Sequence, residues 1–223
     1  MQRRHVPNLL TVARLVLAIA FFAMLNVYRF EVGDTHAGIL IAALVLFLVA
    51  AFTDFLDGYL ARRWAAVTLF GRIVDPVADK ILVIGGFIYF AGPRFVNPDD
   101  PTDMLSGVYP WMVVVILLRE LAVTSIRAAM ESQGIDFSAR SVGKWKMVLQ
   151  VVAIPVVIVA VALDPLDQPW VRIVRDLTVW ATVIVTILSG LPYVTGALRA
   201  VRQMPVSPPG EGGGWAETRK DIP

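Results

Sequence analysis

An all-α, polytopic membrane protein is the fold this sequence predicts: six transmembrane helices in one bundle, with both termini cytoplasmic. Three observations lead there. Of 223 residues, 57% are hydrophobic and only 17% charged, where a soluble domain carries about a quarter charged residues; the mean hydropathy is +0.68. The charges are bunched, leaving long runs with hardly any. Six runs, at roughly 8–28, 37–57, 73–91, 110–130, 146–163 and 173–198, approach or exceed the length a helix needs to cross a bilayer, about 20 mainly apolar residues.

The first run follows MQRRHVPN and is interrupted by Arg14. Its length, that arginine and the lack of a small-residue cleavage site predict a retained helix rather than a signal peptide. Asn8, after Pro7, is a candidate cap, and Asn8, Thr11 and Arg14 form a polar stripe on this helix. The second run ends in DFLDGYLARRW and the third opens with GRIVDPVADK. Between the third and fourth, residues 92–109 contain three prolines, Pro93, Pro98 and Pro101, and read as a connector. The fifth and sixth runs enclose Pro155 and Pro192, which predict kinks. Trp111, Trp145, Trp170 and Trp180 suit the membrane interface. With the N-terminus inside, the inner segments collect Arg3, Arg4, Arg62, Arg63, Arg72, Arg140, Lys144, Lys146, Arg199, Arg202, Arg219 and Lys220. The outer connections 29–36, 92–109 and 164–172 hold only Arg29, Arg94 and Arg172, against seven acidic residues. That asymmetry is the positive-inside rule. One domain is expected over 1–202, with a Pro- and Gly-rich, disordered tail over 203–223. A net charge of +2 argues against a nucleic-acid partner. The absence of cysteine excludes disulfides and thiolate metal sites.

Four aspartates stand out in DFLDGYLARRWAAVTLFGRIVDPVAD. Asp54 and Asp57 lie three residues apart, Asp75 and Asp79 four, so each pair shares a helix face. Gly58 and Gly71 remove side chains where the two helices approach. Carboxylates gathered near a membrane repel one another and cost several kcal/mol each to desolvate unless paired or metal-bound. A hard divalent cation is the simplest compensation. The plain alternative, helix-end acids paired with Arg62, Arg63, Arg72 and Lys80, leaves the glycines and the Ala61-Arg62 dipeptide without a reason.

Asp54-x2-Asp57-Gly58-x2-Ala61-Arg62-x8-Gly71-x3-Asp75-x3-Asp79 resembles, without departure, the signature of the CDP-alcohol phosphatidyltransferase family. These are six-helix membrane enzymes that move a phosphatidyl or related group from a CDP-linked lipid to an alcohol, releasing CMP. The resemblance implies that Asp54, Asp57, Asp75 and Asp79 ligate metal, two ions of Mg²⁺ or Mn²⁺, with Asp79 also the general base for the acceptor hydroxyl. It implies that Gly58, Ala61 and Gly71 line the cytidine pocket and that Arg62 contacts the pyrophosphate of CDP-diacylglycerol. Arg14, with Asn8 and Thr11, is a further candidate for that donor. The expected site faces the cytoplasm from a bacterial inner membrane.

HVPNLLTVARLVLA, DPVADKILV, LLRELAVTSIRAAM and SVGKWKMVLQ add a second resemblance, over roughly 5–195, to the family's members that use sn-glycerol 3-phosphate. From the residues themselves, such an acceptor needs cations. Arg119, Glu120, Thr124, Arg127 and Glu131 fall within about 140° of one another on the fourth helix. An arginine at membrane depth should face the interior with a partner; Glu120 and Glu131 are candidates, although adjacent positions such as 119 and 120 diverge. A phosphate pocket from Arg119, Arg127, Arg140, Lys144 and Lys146 is therefore expected. Snorkelling toward the interface is the alternative for each cation. Inositol phosphate, serine or phosphatidylglycerol remain alternative acceptors. A divalent-cation channel is an alternative of another class, but it predicts acids along a path through the membrane. Gly85-Gly86 suggests a close helix contact, within one bundle or in a homodimer.

Overall fold

The computed structural model describes residues 6–29, 37–64, 69–133, 141–163 and 168–203; at 6–8, 55, 57–64, 69–79, 141–144 and 200–203 only the helical backbone is described. His5, His36 and the tail beyond Gln203 lie outside the described residues. Among them the chain forms six α-helices: α1 (Val6–Val27), α2 (Ala37–Trp64), α3 (Leu69–Phe90), α4 (Pro110–Glu131), α5 (Ser141–Leu163) and α6 (Pro169–Gln203). No strand occurs among the described residues beyond an isolated bridge between Val96 and Met104.

Length and composition make four of these stretches long and apolar enough to cross a membrane: Leu9–Val27, Ala37–Asp54, Trp145–Leu163 and Pro169–Arg199. The apolar part of α3, Lys80–Phe90, is shorter, and α4 carries Arg119, Glu120, Arg127 and Glu131. Several helices outrun the expected spans. At 28 residues, α2 is about 42 Å long, so its last turns, beyond Asp54, extend past the apolar span. Leu69 opens α3, which puts Asp75 and Asp79 a turn or more inside the helix. Val6 opens α1, so Asn8 is its third residue rather than its cap; Pro7 needs no N–H there and suits a first turn. Helices α5 and α6 continue through Pro155 and Pro192.

Neighbouring helices alternate in direction. Phe21 packs against Phe47 at a tilt between α1 and α2, and Gln150 bonds Thr186 between α5 and α6. Helix α1 packs against α2 and α3, α5 against α2, α3 and α6, and α4 against α6 and α3. Between helices in lipid, close packing and polar bonds replace the hydrophobic drive. Gly85 and Gly86 show the first of these: a Cβ on Gly85 would lie 2.3 Å from Phe22 Cζ, and one on Gly86 3.0 Å from Ile154 Cδ1. This glycine pair serves contacts of α3 with α1 and α5 inside the bundle.

Residues 92–109 form a packed cap rather than a plain connector. A 3₁₀ turn at Pro93–Phe95 sends the buried Phe95 against Phe90 and Tyr28. Ser106 Oγ donates to the Phe90 carbonyl and accepts the Val108 amide. Arg175 of α6 donates to the Leu105 carbonyl at 2.7 Å. The cap closes the end of the bundle opposite the aspartates.

Candidate functional site

Near the end where α2 finishes and α3 begins, two polar groups lie between the helices. The first joins α1 to α2. Arg14 stands about 12 Å into α1 at 1.5 Å per residue, with 2% of its side chain exposed, and it pairs with Asp54 Oδ1 at 2.5 Å. A guanidinium so buried would be costly without a carboxylate. Thr11, one turn earlier, is buried too. Arg14 and Asp54 form the polar end of a cavity of about 290 Å³, otherwise walled by apolar residues such as Phe47 and Ala51 of α2, Leu82 and Val83 of α3, and Met147 and Val151 of α5.

The second group centres on Glu120, a buried acid on α4. Its Oε1 accepts Lys146 Nζ from α5 and, at 3.2 Å, Arg119 NH1. Its Oε2 faces Lys80 Nζ of α3 at 3.9 Å. Lys80 donates to Thr124 Oγ1 at 2.8 Å, and Arg119 NH2 to the Ser189 carbonyl of α6 at 3.3 Å. Arg119 Nε is buried with no acceptor among the described residues. Gly190 leaves space beside this arginine, where a Cβ would come within 3.4 Å of its Cγ. Three cations around one carboxylate leave a net charge of +2, which suits a dianion such as a phosphomonoester.

The two groups occupy opposite sides of a partition. Lys80 and Lys146 point toward α4, while Leu82, Val83, Met147 and Val148 face the cavity shared with α1 and α2. Helical geometry allows this, since residues one or two apart, as Lys80 is from Leu82 and Lys146 from Met147 and Val148, point in divergent directions.

Of the residues picked out in the sequence, Arg14 meets Asp54, and Arg119 meets Lys146 through Glu120. Arg127 stands apart from that cluster, pairing with Glu131 on its own helix at 3.5 Å. The backbone is helical at Asn8, Asp57, Gly58, Ala61, Arg62, Gly71, Asp75, Asp79 and Lys144, whose side chains lie outside the described residues, as Arg140 does altogether. Helical spacing thus holds for both aspartate pairs, and four carboxylate donors at such spacing fit a hard divalent cation. Lys80 and Thr124 were not expected in an anion site. The signal for Lys80 was its place directly after Asp79 in an apolar helix. Glu120 was one of the two candidate partners for Arg119, and it does bond that neighbour although adjacent helix positions diverge by about 100°; its closest partner, Lys146, is on another helix.

Comparison with known proteins gives the arrangement its context. The CDP-diacylglycerol–glycerol-3-phosphate 3-phosphatidyltransferase of Bacillus subtilis strain 168 is 32% identical over 204 residues, 89% of this chain and 97% of that protein. Enzymes of the same name from Cereibacter sphaeroides and Rickettsia typhi are 33% and 30% identical, covering 73% and 85% of this chain and 66% and 95% of their own lengths. The sequence profile of the CDP-alcohol phosphatidyltransferases matches residues 4–188, from ahead of α1 to within α6 and across both polar groups. The chain belongs to the CDP-alcohol phosphatidyltransferase family.

Proposed function

We propose that this enzyme transfers the phosphatidyl group of CDP-diacylglycerol to sn-glycerol 3-phosphate, giving phosphatidylglycerophosphate and CMP at the cytoplasmic face of a bacterial inner membrane. The observation that carries this reading is the partition by α3 and α5: a +2 cation cluster on the α4 side, and an apolar cavity ending in Arg14 and Asp54 on the other. A charged, water-soluble acceptor suits the first compartment. A lipid donor suits the second, its diacylglycerol among apolar walls and its pyrophosphate toward Arg14 and Arg62. The names of the similar enzymes favour glycerol 3-phosphate, and inositol phosphate is the alternative that would share the cluster. Serine, without a phosphate, gives the cluster no task.

The aspartates, Asp54 and Asp57 from α2 and Asp75 and Asp79 from α3, would join the compartments. They would hold the divalent cations, Mg²⁺ or Mn²⁺ and two in number, whose bound charge neutralises the pyrophosphate and the departing CMP. Gly58, Ala61 and Gly71 would let cytidine approach the backbone. Arg119, Lys146 and Lys80 would grip the acceptor phosphate, Arg119 Nε among the donors, as guanidinium suits phosphate. Asp79, next to Lys80, would accept the proton of the acceptor hydroxyl. That oxygen attacks the phosphorus bearing diacylglycerol; its new P–O bond forms as the pyrophosphate bond breaks and CMP leaves.

A defining assay supplies purified enzyme with CDP-diacylglycerol, Mg²⁺ or Mn²⁺ and one alcohol at a time, and follows CMP release. Release is expected with glycerol 3-phosphate and its loss with chelator. Release with inositol phosphate alone would overturn the acceptor. Asp79→Asn should abolish turnover in a protein that remains folded in the membrane; undiminished turnover would remove Asp79 from the base role.

A further inference from the structure

The cluster raises a question the phosphate does not answer: a site built to attract an anion has an anion at its centre. Glu120 is 8% exposed, and both its oxygens are committed, Oε1 to Lys146 and Arg119, Oε2 toward Lys80. Those cations come from α5, α4 and α3, and Arg119 reaches α6 as well. Without the carboxylate, three like charges would face one another in a low-dielectric interior, where repulsion is strong. Long lysine and arginine side chains would then turn outward, each regaining solvent and rotamer freedom.

We propose that Glu120 is the positioning residue of the acceptor pocket, gathering Lys80, Arg119 and Lys146 at one point so that the acceptor phosphate meets three prearranged cations. This rests on the acceptor reading above. Four features support it. Glu120 is buried, it divides its two oxygens among groups from three helices, Arg119 Nε has no acceptor among the described residues, and the balance of three positive charges against one negative leaves +2 for a dianion. Glu120 holds the cations without cancelling them. It acts through its neighbours, touching no reacting atom, so its effect should fall on acceptor binding. Lys80 follows Asp79 directly in α3, so the same bracing fixes the cation adjacent in sequence to the proposed base. A fixed Lys80 orients the acceptor phosphate relative to Asp79, and with it the hydroxyl that must lose its proton.

The test uses the full-length enzyme with CDP-diacylglycerol, Mn²⁺ and glycerol 3-phosphate, comparing Glu120→Gln, Glu120→Asp, Arg119→Ala, Lys146→Met and the double variant Glu120→Gln/Lys146→Met. Glu120→Gln should raise the KM for glycerol 3-phosphate at least about tenfold, equivalent to about 1.4 kcal/mol, with the KM for CDP-diacylglycerol unchanged. Glu120→Asp, which keeps the charge on a shorter arm, should recover part of the loss. The double variant, which removes both charges of the closest pair and gives a second reading should Glu120→Gln fold poorly, should lose less than the product of the single effects. If Arg119→Ala and Lys146→Met leave the acceptor KM unchanged, the pocket itself fails and the role of Glu120 with it. If they raise it while folded Glu120→Gln does not, the positioning role alone is overturned. Equal rises in both KM values for Glu120→Gln, or a double variant that loses the full product, would reduce Glu120 to a structural brace.

Discussion

The two arginines of α4 look alike in sequence and differ in what surrounds them. Arg119 is held by Glu120 and the Ser189 carbonyl and lies largely out of solvent. Arg127, seven residues beyond Glu120 and about 10 Å further along the helix, pairs with Glu131, both partners substantially exposed. Exposed pairs of this kind contribute little, at most about 1 kcal/mol, whereas a hydrogen bond to a charged group is worth about 1.5–3 kcal/mol. Arg119→Ala is therefore expected to raise the KM for glycerol 3-phosphate about 10- to 100-fold, and Arg127→Ala by no more than about threefold. Steady-state kinetics with the acceptor varied separates them, and equal effects would place Arg127 in the pocket after all. The sequence showed that α4 has a polar stripe, because a 3.6-residue period is a property of one helix. Which members of the stripe meet which cations depends on α3, α5 and α6, and no period within α4 records that. The aspartate motif was legible for the opposite reason: its residue types and spacings lie in one continuous stretch.

At the scale of elements, hydropathy located every helix, and the errors fell at the ends. The turns of α2 beyond Asp54 and the first turns of α3 carry charges, so hydropathy places the end of an apolar run before the end of the helix. The 92–109 cap was missed because its order comes from contacts with other elements. Gly107 is the clearest case. It has a φ of +66°, and a Cβ there would sit 2.7 Å from Asp176 Oδ1 and 2.8 Å from Arg175 Nε. Arg175 is the residue that ties the cap to α6, bonding both Asp176 and the Leu105 carbonyl at 2.7 Å. Gly107→Ala is expected to destabilise by about 1–2 kcal/mol from the backbone conformation alone, with a further loss from crowding Arg175. Thermal unfolding in detergent should show a lower midpoint. Kinetic constants well below that midpoint should be unchanged, because the cap lies at the end of the bundle away from the aspartates. An unchanged midpoint would mean that the cap does not contribute to stability.

The whole molecule has two chemically different ends. The cap end presents Asp99, Asp100 and Asp103, with the Thr102 hydroxyl and amide both donating to Asp100 and lowering its pKa below the ordinary carboxylate value. The opposite end holds the aspartate motif and the basic connections. We propose that all six helices cross, with the aspartate end in the cytoplasm, the side that this charge asymmetry favours by the positive-inside rule. The apolar stretches of four helices support membrane insertion on their own. For α4 the case is indirect: its charges disqualify it by composition, yet Arg119 and Glu120 face partners inside the bundle, which is the condition for such residues at membrane depth. The chain has no cysteine, so single substitutions give clean reporters of sidedness. Asp99→Cys, on the exposed surface of the cap, should react with a membrane-impermeant maleimide in spheroplasts. Gln133→Cys, exposed just past the end of α4, should react only after the membrane is permeabilised. The reverse pattern would invert the protein and put the aspartates outside. Reaction of both in sealed spheroplasts would mean that α4 does not cross, and the acceptor cluster would then need another route to the cytoplasm.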